Sequence, residues 1–168
     1  MIYCFTGYPL SGKSTWAKNF ALSHDFGFFS TGDYARIQGM KTDEKSIIKR
    51  DLSLDLNDRI NTEVLRRIDH NMDYVIDGWP RSEEQALLLE STGVVYKTIF
   101  IALDPMAIMV RMEKRSRPGD EVEQIHGRML AMIEFHSKLV DMEHDLLYVD
   151  GRELEAGGIS WLEQQLVK

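Results

Sequence analysis

Five short apolar runs, at residues 2–6, 28–30, 74–77, 97–103 and 146–149, recur along the 168-residue chain, with stretches of helical periodicity between them. Runs this short and this apolar read as strands buried on both faces. Parallel neighbours need a crossover connection, so strands alternating with amphipathic helices specify one parallel sheet covered on each side. The helical stripes are Trp16, Ala17, Phe20 and Ala21; then Leu52, Leu56, Ile60, Val64 and Ile68; then Val122, Ile125, Met129, Met132, Ile133, His136 and Val140. Each stripe is read as a core-facing surface. Arg117-Pro118-Gly119 and Gly157-Gly158 are read as turns. No repeat, linker or low-complexity tract divides the chain, and residues 1–168 suit a single domain.

The first apolar run ends in "GYPLSGKS", residues 7–14, which matches G-x-x-x-x-G-K-S/T. A loop of this pattern turns its backbone N–H groups round phosphates, while its lysine reaches the terminal ones. The context agrees: an apolar strand precedes it and an amphipathic helix follows, aiming unpaired N–H groups at an anion. Gly7, Tyr8, Pro9, Leu10, Ser11, Gly12, Lys13, Ser14 and Thr15 are therefore expected to bind a nucleoside triphosphate, ATP, with Ser14 on the Mg2+ that bridges its phosphates.

Charge and cysteine usage narrow the partners. Twenty Lys plus Arg against 27 Asp plus Glu leave a net charge of −7, which repels nucleic acid and anionic membranes, so neither is an expected partner. Cys4 is the single cysteine, which excludes an intramolecular disulfide and gives no zinc spacing. The five histidines form no metal-binding pattern. The N-terminus lacks the order of a signal peptide and no apolar run is long enough to span a bilayer, so a cytoplasmic location is expected; a monomer is the expected state.

Two more strand ends carry polar residues. "FSTGDYAR" leaves the second strand for a helix that Thr31 or Asp33 is placed to cap, and "VIDGWPRSEEQA" leaves the third strand with Asp77 at its end. Each sets an arginine, Arg36 or Arg81, just beyond a strand end, on the side where parallel sheets bind ligands. Structural readings stand beside these. Ser82 and Gln85 form an S-x-x-Q capping box, Asp120 and Glu123 suit a second one, and Arg111 and Arg115 suit the C-terminal end of a helix dipole.

Taken together, the phosphate loop, "STGDYAR", "DGWPR" with Gln85, "RMEKR" and "RPGD" with Arg128 resemble the adenylate kinase family of nucleoside monophosphate kinases. The resemblance implies an α/β P-loop NTPase fold: a central five-stranded parallel sheet with helices on both faces, an acceptor-binding helical segment at about 34–68, and a short lid at about 111–120. It implies phosphoryl transfer from ATP to a nucleoside monophosphate, AMP first, with Mg2+ as cofactor. Lys13 and the loop amides would hold the donor, Asp77 would orient Mg2+ through water, and Arg111 would lie against the donor base. Arg36 and Arg81 would clamp the acceptor phosphate, Thr31 would line its pocket, and Gln85 would read its base. Arg115, Arg117 and Arg128 would close over the transferring group. Leu10 and Ser14 depart from the family's glycines, only Ser116 separates Arg115 from Arg117, and the four-cysteine lid metal site is absent. A polynucleotide 5'-hydroxyl kinase and a non-catalytic nucleotide-binding regulator are the alternative readings.

Overall fold

A computed structural model describes residues 1–39, 54–68, 72–114 and 122–167. The strands are β1 (Ile2–Gly7), β2 (Gly27–Ser30), β3 (Tyr74–Asp77), β4 (Tyr96–Ala102) and β5 (Leu146–Asp150). The helices among the described residues are α1 (Lys13–His24), α2 (Thr31–Gly39), α3 (Leu54–Ile68), α4 (Glu83–Ser91), α5 (Pro105–Lys114), α6 (Val122–Asp141) and α7 (Gly151–Leu166). Every strand end lies within one residue of its expected place, because runs buried on both sides leave little freedom in where pairing stops.

All five strands are parallel, in the order β2-β3-β1-β4-β5. Chain order reverses direction beside β1, and the carboxyl ends at such a reversal frame a crevice. Register places Phe5 opposite Asp77 and Ser30 opposite Asp77, so β1, β2 and β3 end level at that crevice.

Alternation along the strands sorts two cores. Phe5, Val75, Ile99, Ile101 and Val149 face α1 and α7, where Ala17, Phe20, Leu154 and Leu162 are buried against them. Cys4 and Ile76 face the other way, onto Ile60, Val64 and Ile68 of α3 and Leu89 of α4. Phe100 meets Ala86, Phe135 and Leu139 on that second face.

Two expectations are revised, on α6 and at the start of α2. The buried face of α6 is centred on Ile125, Phe135 and Leu139, while Val122, Ile133 and Val140 are exposed. The helix is rolled by part of a turn from the expected stripe, which places the large Phe135 ring against the sheet. The expected break at Gly157-Gly158 is present: Gly158 leaves helical geometry (φ 67°, ψ −162°) and kinks α7 between Leu154 and Leu162, both of which reach the core. The N-terminus of α2 is capped by neither Thr31 nor Asp33; Ser30 Oγ accepts the Asp33 N–H at 3.3 Å. Leu52, much of the 34–68 segment, and Arg115, Arg117, the Pro118-Gly119 turn and Asp120 of the expected lid lie outside the described residues.

Cys4 sits in the central strand with no exposed surface, and burial pushes its thiol far above its ordinary range. It should be inert to a thiol-reactive disulfide reagent in the native protein and react fully in denaturant. Prompt reaction of the native protein would contradict the packing of β1.

Candidate active site

The loop after β1 is shaped by contacts its sequence requires. At Gly7 the backbone runs against β4, with Tyr8 N–H donating to the Ile101 carbonyl at 3.0 Å. A Cβ there would lie 2.1 Å from the Ile101 oxygen, which excludes any side chain. Gly12 takes a left-handed conformation (φ 83°, ψ 6°) as the residue before α1, a geometry glycine adopts without steric cost. Lys13 Nζ donates to the Tyr8 carbonyl at 3.1 Å, closing the loop across its own mouth. Ser14 and Thr15 open α1 and are exposed.

Leu10 also has a left-handed backbone, at φ 60°. Its side chain is 9% exposed and packs with Leu103, Ile108 and Ile125. Strain at a non-glycine residue in this region costs about 1–2 kcal/mol, whereas burying a leucine contributes about 1.5–3 kcal/mol, so packing holds the conformation. Arg111, on the last turn of α5, fastens the same place from outside: Nη1 donates to the Leu10 carbonyl at 2.9 Å and Nη2 pairs with Glu155 of α7.

Opposite the loop, the turn after β3 is tied to β1. Gly78 N–H donates to the Phe5 carbonyl at 2.7 Å and Thr6 Oγ1 to the Pro80 carbonyl at 2.8 Å. Asp77 is 3% exposed, and Ser30 Oγ donates to its Oδ2 at 2.9 Å. Its Oδ1 is buried with no hydrogen-bond partner among the described residues. A cavity of about 260 Å³ lies here, lined in part by Ser14, Thr15, Lys18, Asp33 and Asp77. A hydroxyl and carboxylate oxygens round one cavity, one of them a buried orphan acceptor, fit a hard divalent cation such as Mg2+.

Arg81 is half-buried on the same turn. Its Nε donates to the Gly78 carbonyl, and Nη2 to Thr31 Oγ1 at 3.0 Å. Burial is the chief influence lowering its basicity; Asp77 opposes this, and the fields of Arg36 and Arg128 lower it further. Arginine nonetheless remains charged, so the Arg81 guanidinium sits within the fields of two others. Arg36 pairs with Asp33 on α2, and Arg128 Nε donates to the Gln124 carbonyl at 3.2 Å on α6. Gln85 Oε1 accepts the Arg81 backbone N–H at 2.8 Å, and its Nε2 donates to Asn61 Oδ1 at 3.1 Å. Ser82 caps α4 by accepting the Gln85 N–H at 3.4 Å, so half of the expected box forms while the Gln85 side chain reaches Arg81 instead of Ser82.

Of the described candidates, residues 7–15, Thr31, Arg36, Asp77, Arg81 and Gln85 lie on the segments that leave the carboxyl ends of β1, β2 and β3, Arg111 reaches the loop from α5, and Arg128 stands on α6. Sequence reasoning missed Asn61 and Ser30. Asn61 lies on the polar side of a stripe read only for its core, and Ser30 was placed inside a strand.

A phosphate loop at the switch point of a five-stranded parallel sheet, faced by arginines, defines a P-loop protein with a kinase-like fold. The sequence profile of the AAA domain family matches residues 6–126, and the chain belongs to that family. The chain is 32% identical to an adenylate kinase of Thermococcus onnurineus over 132 residues, covering 74% of this chain and 54% of that protein. It is 28% identical to an adenylate kinase of Encephalitozoon cuniculi over 131 residues, covering 76% and 73%. A cytidylate kinase of Desulfurococcus amylolyticus is 42% identical over 80 residues, or 44% of this chain and 42% of that one. The chain therefore spans about half the length of the Thermococcus relative. Shikimate kinase from Aquifex aeolicus shares the fold, with a TM-score of 0.63 at 16% identity over 99% of this chain and 96% of that one. The resemblance to the adenylate kinase family read from the motifs is borne out.

At Leu10 the strain and the packing make separable predictions. Leu10→Ala keeps the backbone strain and loses the packing, at a cost of about 2–3 kcal/mol or more. Leu10→Gly loses the packing and relieves the strain, so it should be more stable than Leu10→Ala by about 1 kcal/mol in urea unfolding. Equal stabilities, or the opposite order, would contradict the strained loop.

Proposed function

We propose that the protein transfers the γ-phosphoryl group of ATP to the phosphate of a nucleoside monophosphate, releasing ADP and a nucleoside diphosphate, with AMP the first acceptor and CMP the next. The observation that carries the reading is the half-buried Arg81 guanidinium, set against Thr31 and Asp77 across from the phosphate loop and within the fields of Arg36 and Arg128. So much positive charge in one crevice calls for a second polyanion beside the triphosphate. The adenylate and cytidylate kinase relatives support the choice of acceptor.

The residues divide the work. The amides of residues 7–15 and Lys13 hold the donor phosphates, which requires Lys13 Nζ to exchange the Tyr8 carbonyl for phosphate oxygen. Ser14 and Asp77 are suited to hold Mg2+, directly and through water, and the ion would neutralise charge between the phosphates. Arg36 and Arg81 clamp the acceptor phosphate, Thr31 keeps Arg81 turned inward, and Gln85 meets the base. Arg111 steadies the loop at Leu10 and flanks the donor site beside Gly12 and Trp16. Arg128 would meet the transferring group, and Arg115 and Arg117, which lie outside the described residues, are assigned the same role by the motif resemblance.

An acceptor phosphate oxygen attacks the γ-phosphorus in line while the bond to the β–γ bridging oxygen breaks and its electron pair leaves with ADP. A phosphate monoester has a second pKa near 6, so it arrives as the dianion at neutral pH and no general base is needed. Charge spreads over the three equatorial oxygens in a loose transition state, and guanidinium forks bind such oxygens in pairs.

An ADP-release assay over the ribo- and deoxyribonucleoside monophosphates, with a 5'-hydroxyl oligonucleotide as rival acceptor, tests the reading. Turnover on the oligonucleotide alone would contradict it. Lys13→Ala should lower kcat by about 10²–10⁴-fold with the fold intact, since charge is withdrawn from the transferring group. Arg81→Ala should lower kcat/KM for the acceptor by roughly 10- to 100-fold, the worth of a charge-assisted contact of about 1.5–3 kcal/mol, while ATP binding stays near its original strength. Unchanged acceptor kinetics in Arg81→Ala would remove the clamp.

A further inference from the structure

The amide of Gln85 is held in one orientation, and the residue that sets it lies on α3. Asn61 Oδ1 accepts the indole N–H of Trp79 at 3.1 Å and also Gln85 Nε2 at 3.1 Å, while Gln85 Oε1 accepts the Arg81 backbone N–H at 2.8 Å. An indole N–H and a peptide N–H can only donate. Trp79 therefore requires the oxygen of Asn61, which requires the nitrogen of Gln85, and Arg81 requires the oxygen of Gln85 at the other end. Turning the Gln85 amide over would set its NH2 against the Arg81 N–H and its oxygen against that of Asn61. Two hydrogen bonds would be lost and two repulsions gained. Trp79 has no exposed surface, so the reference for the whole chain is fixed in the core.

We propose that Asn61 is a specificity-determining positioning residue, which holds Gln85 so that the site selects acceptors bearing an amino base, adenine or cytosine, over the keto bases guanine and uracil. The inference rests on the reading of Gln85 as the residue that meets the acceptor base. An amide has two N–H groups and two lone pairs on its oxygen, so after its bonds to Asn61 and Arg81 Gln85 retains one of each for a ligand. Adenine and cytosine offer an exocyclic N–H donor next to a ring-nitrogen acceptor, whereas guanine and uracil offer a carbonyl next to a ring N–H. For a base presented in one orientation by its phosphate, a locked amide matches one order and opposes the other, and the proposed acceptors AMP and CMP both carry the first. Arg81 supplies both the guanidinium for that phosphate and the N–H that fixes Gln85, so the two readers share one residue.

The test is kcat/KM of the full chain for AMP, CMP, GMP and UMP with saturating ATP, in wild type, Asn61→Ala and Asn61→Asp. Wild type should prefer AMP over GMP and CMP over UMP by about 10-fold or more, because a site built to hydrogen-bond one pattern leaves its polar groups unpaired against the other. Asn61→Ala should bring these ratios down toward unity. Asn61→Asp should keep them, since a carboxylate still accepts from both Trp79 and Gln85. Wild type that uses GMP or UMP as well as AMP or CMP overturns the lock without any variant, and leaves the assignment as a monophosphate kinase standing. An Asn61→Ala variant that slows all four acceptors in parallel with ratios intact overturns it too, by reducing Asn61 to a structural role. Failure to phosphorylate any monophosphate would end the kinase reading and the inference with it.

Discussion

The parallel pairing of β1 with β3 is the constraint on which the rest depends. Phe5 lies opposite Asp77, and the Gly78 N–H continues the ladder to the Phe5 carbonyl at 2.7 Å. That register sets the phosphate loop and the Asp77–Arg81 turn at the same edge of the sheet. One residue of slip would turn Asp77 to the opposite face, away from Ser14 and α1. Ser30 of β2, also opposite Asp77, completes the arrangement by donating to its carboxylate while capping α2. A single level row of strand ends thus positions the donor loop, the candidate cation cradle and the arginine cluster.

Local charge prevails over the global balance there. The chain carries a net charge of −7, yet the Arg81 guanidinium lies within the fields of Arg36 and Arg128. Guanidinium groups brought together without a bound anion raise the energy of the apo state, and a polyanion relieves it. The buried Asp77 is the countercharge within reach of Arg81, and its Oδ1 is unmatched among the described residues. Cost of this kind is tolerated at functional sites and offset by packing elsewhere, here by the sheet core on both faces.

Much of this was legible in the sequence because its signals are local. Strands buried on both faces announce their ends, the glycine and lysine spacing of residues 7–14 specifies a loop, and Asp77 and Arg81 follow a strand directly. What was not legible depends on contacts distant in sequence. The roll of α6 follows from where Phe135 meets the sheet, which the periodicity of α6 alone does not contain. Leu10 looked like a departure from a glycine and proved to be a strained residue held by Leu103, Ile108 and Ile125. Asn61 carries no motif, and its place is visible only when Trp79 and Gln85 are brought to it.

The central claim is that two phosphate sites face each other across one crevice and pass a phosphoryl group between them. It is tested most directly by following ATP labelled in its γ-phosphoryl group, with AMP and Mg2+ present. The account predicts that the label appears in the β-position of newly formed ADP, in equal amount to the ATP consumed. Label released only as inorganic phosphate, or retained in ATP while AMP remains unchanged, would contradict it.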